Sequence, residues 1–168
     1  MTVGHQQGPV MQQILIDKSK CGFEWLDVTN PTEAELNALA LRYGLLEAAV
    51  EDCLEPDHLP KFEAMGPVNF VITRAYHPKR DKKADSIRDL TSKIAIFYAK
   101  DFLITVHRQP QPLVQHVERS TAEANFCPTT TELMLQIVRA VLAGYIEPGL
   151  TTADEMAACE DTIFLQDK

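Results

Sequence analysis

The sequence lacks a long uninterrupted hydrophobic run, and its N-terminus lacks the pattern of a secretory signal. The most apolar stretch, residues 133–146, is interrupted by Gln136 and Arg139, whereas a membrane-spanning helix needs about 20 predominantly apolar residues. Residues 1–9 are polar, with neither a basic segment nor an apolar core. We therefore expect a soluble chain that, as it stands, does not cross a bilayer.

Motifs for nucleotide binding and for nucleophilic catalysis are also missing. The sequence has no P-loop, no GxGxxG and no GxSxG, so neither a phosphate cradle nor a marked nucleophile is visible. None of the five histidines is spaced from another as helical metal ligands would be. We expect no enzyme activity and no organic cofactor.

Basic residues are in deficit. The 16 lysines and arginines stand against 24 acidic residues, which gives a formal net charge of −8. Such a surface repels phosphate backbones, so we expect no nucleic-acid partner. The length of 168 residues and the 45% share of hydrophobic residues fit one domain with a real core.

The four cysteines contain no CxxC pair. They are spread along the chain at Cys21, Cys53, Cys127 and Cys159, and a chain of this size is not a small disulfide scaffold. The spacing favours reduced, partly buried thiols and hence a reducing compartment.

Segments rich in β-branched and aromatic residues alternate with segments of helical period. Strands are predicted at 13–17, 23–28, 62–65, 68–76, 91–98 and 102–107, and helices after residue 30, at 46–54, 113–124, 129–146 and 152–165. The order predicts an α/β fold of the α+β type: a mixed sheet flanked by helices, with a helical C-terminal extension. We divide the chain into a flexible N-terminus (1–12), a core domain (13–128) and the extension (129–168).

Local signals refine the helix ends. Asn30 is placed to cap a helix whose first residue is Pro31, with Glu33 as its capping-box acid and Gly44 closing its C-terminus. The run Glu-Pro-Gly at 147–149 predicts a break or kink in the C-terminal helices.

Two groups of acidic residues are candidate sites. Asp81, Asp85 and Asp89 recur every four residues in a charged connection, where a helix would align them to attract a hard cation. Lysines and arginines are interleaved among them, so a solvated loop is the alternative. Glu51 and Asp52 lie late in a short helix, where they oppose its dipole and should have partners such as a basic group or a backbone amide. Our main interpretation of this segment is a packed corner between helix and sheet.

Several segments, in this order and spacing, resemble the N-terminal cytoplasmic domain of CorA-type magnesium channels. They are WLDV at 25–28, VEDCL at 50–54 with Pro56, LPKFE at 59–63, VNFVI at 68–72, IAIF at 94–97 and FLITVH at 102–107. The resemblance runs from about Trp25 to the C-terminus. The zinc-transporting branch of the same superfamily is an equal relative by these motifs.

The resemblance implies a regulatory role in a funnel-shaped homopentamer of identical subunits on the cytoplasmic face of the cell membrane. Divalent cations such as Mg²⁺ would bind between neighbouring domains and hold the pore shut. It implies a metal half-site at Asp81 or Asp85, completed by an acid on a stalk helix. The pore helices, with the family's Gly-Met-Asn filter, would lie outside this chain.

Expectations about assembly and metal follow from this interpretation. The last helix ends in apolar residues without a stop signal, which favours an excised domain of such a transporter. The main alternative is a stand-alone binding module of the same fold. A third hypothesis is a small enzyme with an unmarked site. Two apolar spans encoded after Lys168 would favour the excised domain over the stand-alone module. We expect the isolated chain to be monomeric or weakly associated, and to bind divalent cations weakly through a half-site.

Overall fold

The computed structural model describes residues 11–77, 86–124 and 126–166, with side chains up to residue 163. Six strands form one sheet in the order β1-β2-β6-β5-β4-β3. The β2–β6 pair is parallel and the other neighbouring pairs are antiparallel, so the predicted mixed sheet is confirmed. The strands are β1 Met11–Ile16, β2 Glu24–Thr29, β3 Lys61–Met65, β4 Val68–Tyr76, β5 Thr91–Tyr98 and β6 Phe102–His107.

Helices lie on both faces of the sheet. Those described are α1 Lys18–Cys21, α2 Glu33–Tyr43, α3 Glu47–Leu54, α4 Ile87–Leu90, α5 Pro112–Glu123, α6 Thr130–Ala143 and α7 Ile146–Gln166. The helical C-terminal extension is therefore present. The division of the chain at 12/13 and 128/129 stays a prediction.

The β4–β5–β6 meander has the predicted boundaries. Each strand is rich in β-branched and aromatic residues, which suit a pleated surface buried on both faces. The turn between β5 and β6 is closed by the Ala99 amide, which donates to the Phe102 carbonyl at 2.9 Å. All three strands lie in one sheet and β5 and β6 are antiparallel, as expected.

Two apolar clusters fill the two faces of the sheet. One packs Val28, Phe70 and Phe97 against α2 and α3, and the two phenylalanine rings stack with centroids 4.6 Å apart. The other packs strand residues such as Trp25 against α5 and α6, whose Ile137 is fully buried. Each such side chain contributes about 1.5–3 kcal/mol through burial, so both layers are held to the sheet by the hydrophobic effect.

Helix α2 begins two residues later than predicted. Thr32 is the N-cap: its hydroxyl accepts from the Glu35 amide at 3.3 Å, and the Glu35 carboxylate accepts from the Thr32 amide at 2.8 Å. The predicted cap, Asn30, instead has a left-handed backbone with φ 53° and donates its amide to the His107 carbonyl at 2.7 Å. Gly44 closes the helix with φ 67°, as predicted.

The break in the C-terminal helices lies upstream of its predicted place at residues 147–149. Residues 147–149 belong to the first turn of α7, and the helix is interrupted at Gly144 and Tyr145. Pro148 explains the shift, because its missing N–H and its ring act on the carbonyl four residues earlier, that of Gly144. Taken together, Thr130–Ile163 is long and apolar enough to span a membrane by length and composition alone, although α6 packs on the sheet.

The prediction that the cysteines are reduced is wrong for two of them. Cys21 and Cys127 form a disulfide, with Cα atoms 5.3 Å apart across a sequence separation of 106. It joins the end of α1 to the segment before α6, a meeting that sequence spacing alone does not show. Cys53 is a buried free thiol and Cys159 an exposed one.

Candidate functional site

The predicted cation half-site, Asp81 and Asp85, lies outside the described residues, so its prediction stays open. The third acid of that series, Asp89, is described and lies in the first turn of α4, whose N-cap is Ser86. Its carboxylate accepts from the Ser86 hydroxyl at 2.6 Å, and its amide donates to the same hydroxyl at 3.2 Å. Asp89 therefore serves the local turn. Within 11–77, 86–124 and 126–166, no group of three or more His, Cys, Asp or Glu residues is placed to hold a metal ion.

The acid late in α3 has the basic partners that its position requires. Asp52 accepts from the Lys61 ammonium at 2.6 Å and lies 3.1 Å from the His58 imidazole. Lys61 also donates to Glu63 at 2.7 Å. Burial lowers the pKa of Lys61, but its hydrogen bonds to the two carboxylates outweigh burial and raise it. The ammonium occupies the position between the carboxylates that an external cation would need, so this corner offers a counter-ion already in place.

The last turn of α3 is held by a cation from the sheet that sequence reasoning did not single out. Lys93, on β5, donates its ammonium to the carbonyls of Asp52 at 2.5 Å, Cys53 at 3.0 Å and Glu55. These carbonyls have no partner within a helix that ends at Leu54, and they form the negative end of its dipole. A partly buried positive charge at this place provides the missing donor and complements the dipole.

Two arginines extend the same arrangement. Arg74, on β4 and only 4% exposed, donates to the carbonyls of Pro56 at 3.0 Å and His58 at 3.1 Å and to the Thr91 hydroxyl at 2.7 Å. Arg108, directly after β6, donates to the Leu54 carbonyl at 3.1 Å. Three neighbouring strands thus each contribute one cation to the carbonyls of residues 52–58. We call residues 52–58 with Lys93, Arg74 and Arg108 the α3 corner.

The other face of the sheet carries a buried polar network that is not a catalytic one. Asp27 accepts from the Thr105 hydroxyl and lies 2.9 Å from His107 Nε2, both at the same carboxylate oxygen. Trp25 donates its indole N–H to Thr105 at 3.3 Å. In a hydrolase triad the histidine stands between nucleophile and acid, whereas here the hydroxyl and the imidazole share the acid. The buried thiol of Cys53, whose pKa burial raises to about 12, is likewise not an activated nucleophile.

The six-stranded mixed sheet with helices on both faces is similar in fold to solved structures of CorA, ZntB and CmaX. The CorA magnesium transporter of Methanocaldococcus jannaschii aligns with a TM-score of 0.61 at 18% identity over 85% of this chain and 44% of that one. The ZntB cytoplasmic domain of Vibrio parahaemolyticus aligns with 0.60 at 20% identity over 79% and 52%. Full-length CmaX aligns with 0.67 at 17% identity over 83% and 42%. At these identities the likeness concerns the fold.

Sequence comparison defines the family. The family model for the CorA-like Mg²⁺ transporter protein matches residues 20–168, and the chain belongs to this family. A protein of Schizosaccharomyces pombe named as a metal ion transporter is 29% identical over 104 residues, which are 62% of this chain and 16% of the relative. The chain thus spans about a sixth of that relative and roughly half of the solved structures. The family is one of transporters, not of enzymes.

Proposed function

We propose that this chain is the cytoplasmic regulatory domain of a CorA-like divalent metal ion transporter. The observation that supports it is the joint one of family membership over residues 20–168 and a fold shared with the CorA soluble domain and the ZntB cytoplasmic domain. In this proposal the domain lies on the cytoplasmic face of the cell membrane. It senses the divalent cation there and controls a pore that segments outside this chain form.

The sensing step needs identical subunits. Asp81 and Asp85 would supply hard oxygen ligands, which suit Mg²⁺, and an acid of a neighbouring subunit would complete the site. The described residues fit this division of labour, since the acidic pair Asp52 and Glu63 already shares the Lys61 ammonium. A homopentamer would bring such half-sites together. For the isolated chain, with its net charge of −8, light scattering should give a monomer or a weak association.

Thermal unfolding in a magnesium titration tests the proposal. A half-site binds weakly, and stabilisation grows as RT ln(1 + [L]/Kd), so the melting temperature should rise only when Mg²⁺ reaches millimolar concentrations. D81A and D85A should each reduce that rise, whereas D154A, which removes the same charge from the exposed face of α7, should not. An equal response of all four proteins would reject Asp81 and Asp85 as ligands.

A further inference from the structure

Helix α7 leaves the body of the domain at its first turn. Every side chain from 146 to 163 is exposed except that of Pro148, which is partly buried. By contrast, α6 buries Leu133, Ile137 and Val141 against the sheet. Packing along its length therefore does not hold α7, and its direction depends on how its start is attached.

The backbone at that start is a tightened turn. The Gly144 amide is shared between the carbonyls of Ala140 at 3.3 Å and Val141 at 3.1 Å, and the Tyr145 amide donates to the Leu142 carbonyl at 3.1 Å in the i to i+3 pattern. A Cβ on Gly144 would lie 3.2 Å from the Val141 carbonyl oxygen, so a larger residue crowds the turn. Helix bends occur at such interruptions of the i to i+4 ladder, and the backbone here leaves the direction of α7 open to other contacts.

Tyr145 supplies those contacts. Its hydroxyl donates to the Arg74 carbonyl at 2.9 Å, and its ring meets the Tyr76 ring edge-on, with centroids 5.9 Å apart. Burial raises the pKa of Tyr145, against a smaller lowering by the charge of Arg74, so the hydroxyl stays protonated as a donor at neutral pH. Both partners lie at the end of β4, the strand that runs into the connection containing Asp81 and Asp85.

The attachment point is itself rigid. The Arg74 side chain is buried and donates to the Pro56 and His58 carbonyls and to Thr91. The carbonyl that accepts from Tyr145 therefore belongs to a residue fixed on both sides of the strand. A change at the end of β4 would reach α7 through this hydrogen bond and ring contact, in addition to the packing of α6 on the sheet.

We propose that Tyr145 is a positioning residue that sets the direction of α7 relative to the sheet by joining the break between α6 and α7 to the end of β4. This inference rests on the proposed regulatory function, in which movement at β4 has to reach the helices leading to the pore. It adds to that function the residue through which the signal would leave the domain.

A distance measurement between two spin labels tests whether Tyr145 joins α7 to the end of β4. We call this attachment the joint. One maleimide label goes on the native Cys159, exposed on α7, and the other on K100C in the exposed β5–β6 turn, while Cys53 is buried. Without divalent cations, the wild type should give one main distance. Y145F keeps the ring but loses the hydrogen bond, which should lower the ratio of attached to detached helix about fivefold, equivalent to about 1 kcal/mol. Y145A loses both contacts and should lower it further.

Y43F is the matched control. Tyr43 also donates its hydroxyl, to Glu24, at the end of α2, so Y43F removes one phenol hydrogen bond without touching α7 and should leave the distance unchanged. Circular dichroism should show all variants folded. Identical distances in wild type, Y145F and Y145A, or an equal change in Y43F, would overturn the joint. If the variants behave as expected but Mg²⁺ alters the distance in none of them, the joint stands and the cation-sensing function fails.

Discussion

The segment after α3 and the start of α7 are both attached to β4, the first by charged side-chain donors and the second by a neutral hydroxyl. At the α3 corner, cations on β4, on β5 and directly after β6 donate to carbonyls of residues 52–58. Arg74 is buried, Lys93 is partly buried and Arg108 is exposed. At the start of α7, one neutral hydroxyl and one ring edge make the attachment, and Tyr145 is 36% exposed. Arg74 takes part in both, through its side chain at the corner and through its carbonyl at Tyr145.

The two attachments should therefore differ in strength. Hydrogen bonds from charged donors contribute about 1.5–3 kcal/mol each, against about 0.5–1.5 for neutral ones. The α3 corner should therefore stay formed whenever the domain is folded. The attachment of α7 should be weak enough to be exchanged within the native state, as the proposed regulatory role would require.

The largest expected effect concerns the covalent attachment at the other end of α6. C21S combined with C127S removes the disulfide, and for a closed loop of about 100 residues chain entropy predicts a loss of about 5 kcal/mol in the free energy of unfolding. Urea denaturation measures it. C159S, which changes an exposed free thiol, is the control and should leave the midpoint unchanged. Equal midpoints for all three proteins would show that non-covalent packing alone holds α6 in place.

A smaller loss is expected at the α3 corner. K93M keeps the length of the side chain but leaves the carbonyls of Asp52, Cys53 and Glu55 without their donor, so the free energy of unfolding should fall by about 3 kcal/mol. K100M removes an exposed lysine two residues after β5 and should cost little. If K93M matched K100M in urea denaturation, the corner would not be the rigid support described above.

The smallest expected effect is a pH dependence of stability that comes from the N-caps of α2 and α6, one on each face of the sheet. Hydrogen bonds from Thr32 lower the pKa of Glu35, and those from Thr129 lower the pKa of Glu132, from an ordinary value of 4.5. Because the unfolded chain takes up these protons first, the contribution of both caps is present above about pH 4.5 and is lost as the pH falls through the folded values. E35Q and E132Q should each make the acid decline of the denaturation midpoint shallower. E123Q, in an exposed position, controls for the loss of one carboxylate, and a decline unchanged by the first two variants would count against the caps.

Local signals predicted the parts of the fold that local physics determines. The boundaries of β4, β5 and β6 follow from runs of β-branched and aromatic residues, and α3 ends before Glu55-Pro56 as the proline requires. The cap of α2 was misplaced because Asn30 and Thr32 both suit an N-cap and each has a glutamate three residues on, Glu33 and Glu35. In the structure Thr32 and Glu35 form the capping box, whereas Asn30 has a left-handed backbone. The helix break was predicted from Pro148, but the effect falls on the residue four positions earlier.

The site was less accessible to sequence reasoning. Of the two acids late in α3 that were expected to have a basic group or a backbone amide as partner, Asp52 has Lys61, which is near in sequence. Lys93, Arg74 and Arg108 reach the same corner from 16 to 54 residues away, and only the strand order brings them together. Their one local signal is a charged residue inside or directly after a buried strand, which must have a partner to be stable there.

The most direct measurement of the central claim is Mg²⁺ uptake into liposomes by the longer transporter to which this chain is proposed to belong. Uptake would be recorded as Mg²⁺ is raised on the side that carries this domain. The account predicts that millimolar Mg²⁺ suppresses uptake in the wild type, and that D81A combined with D85A weakens the suppression while D154A does not. Suppression that is equally strong in all three proteins would contradict a regulatory, cation-sensing role for this domain.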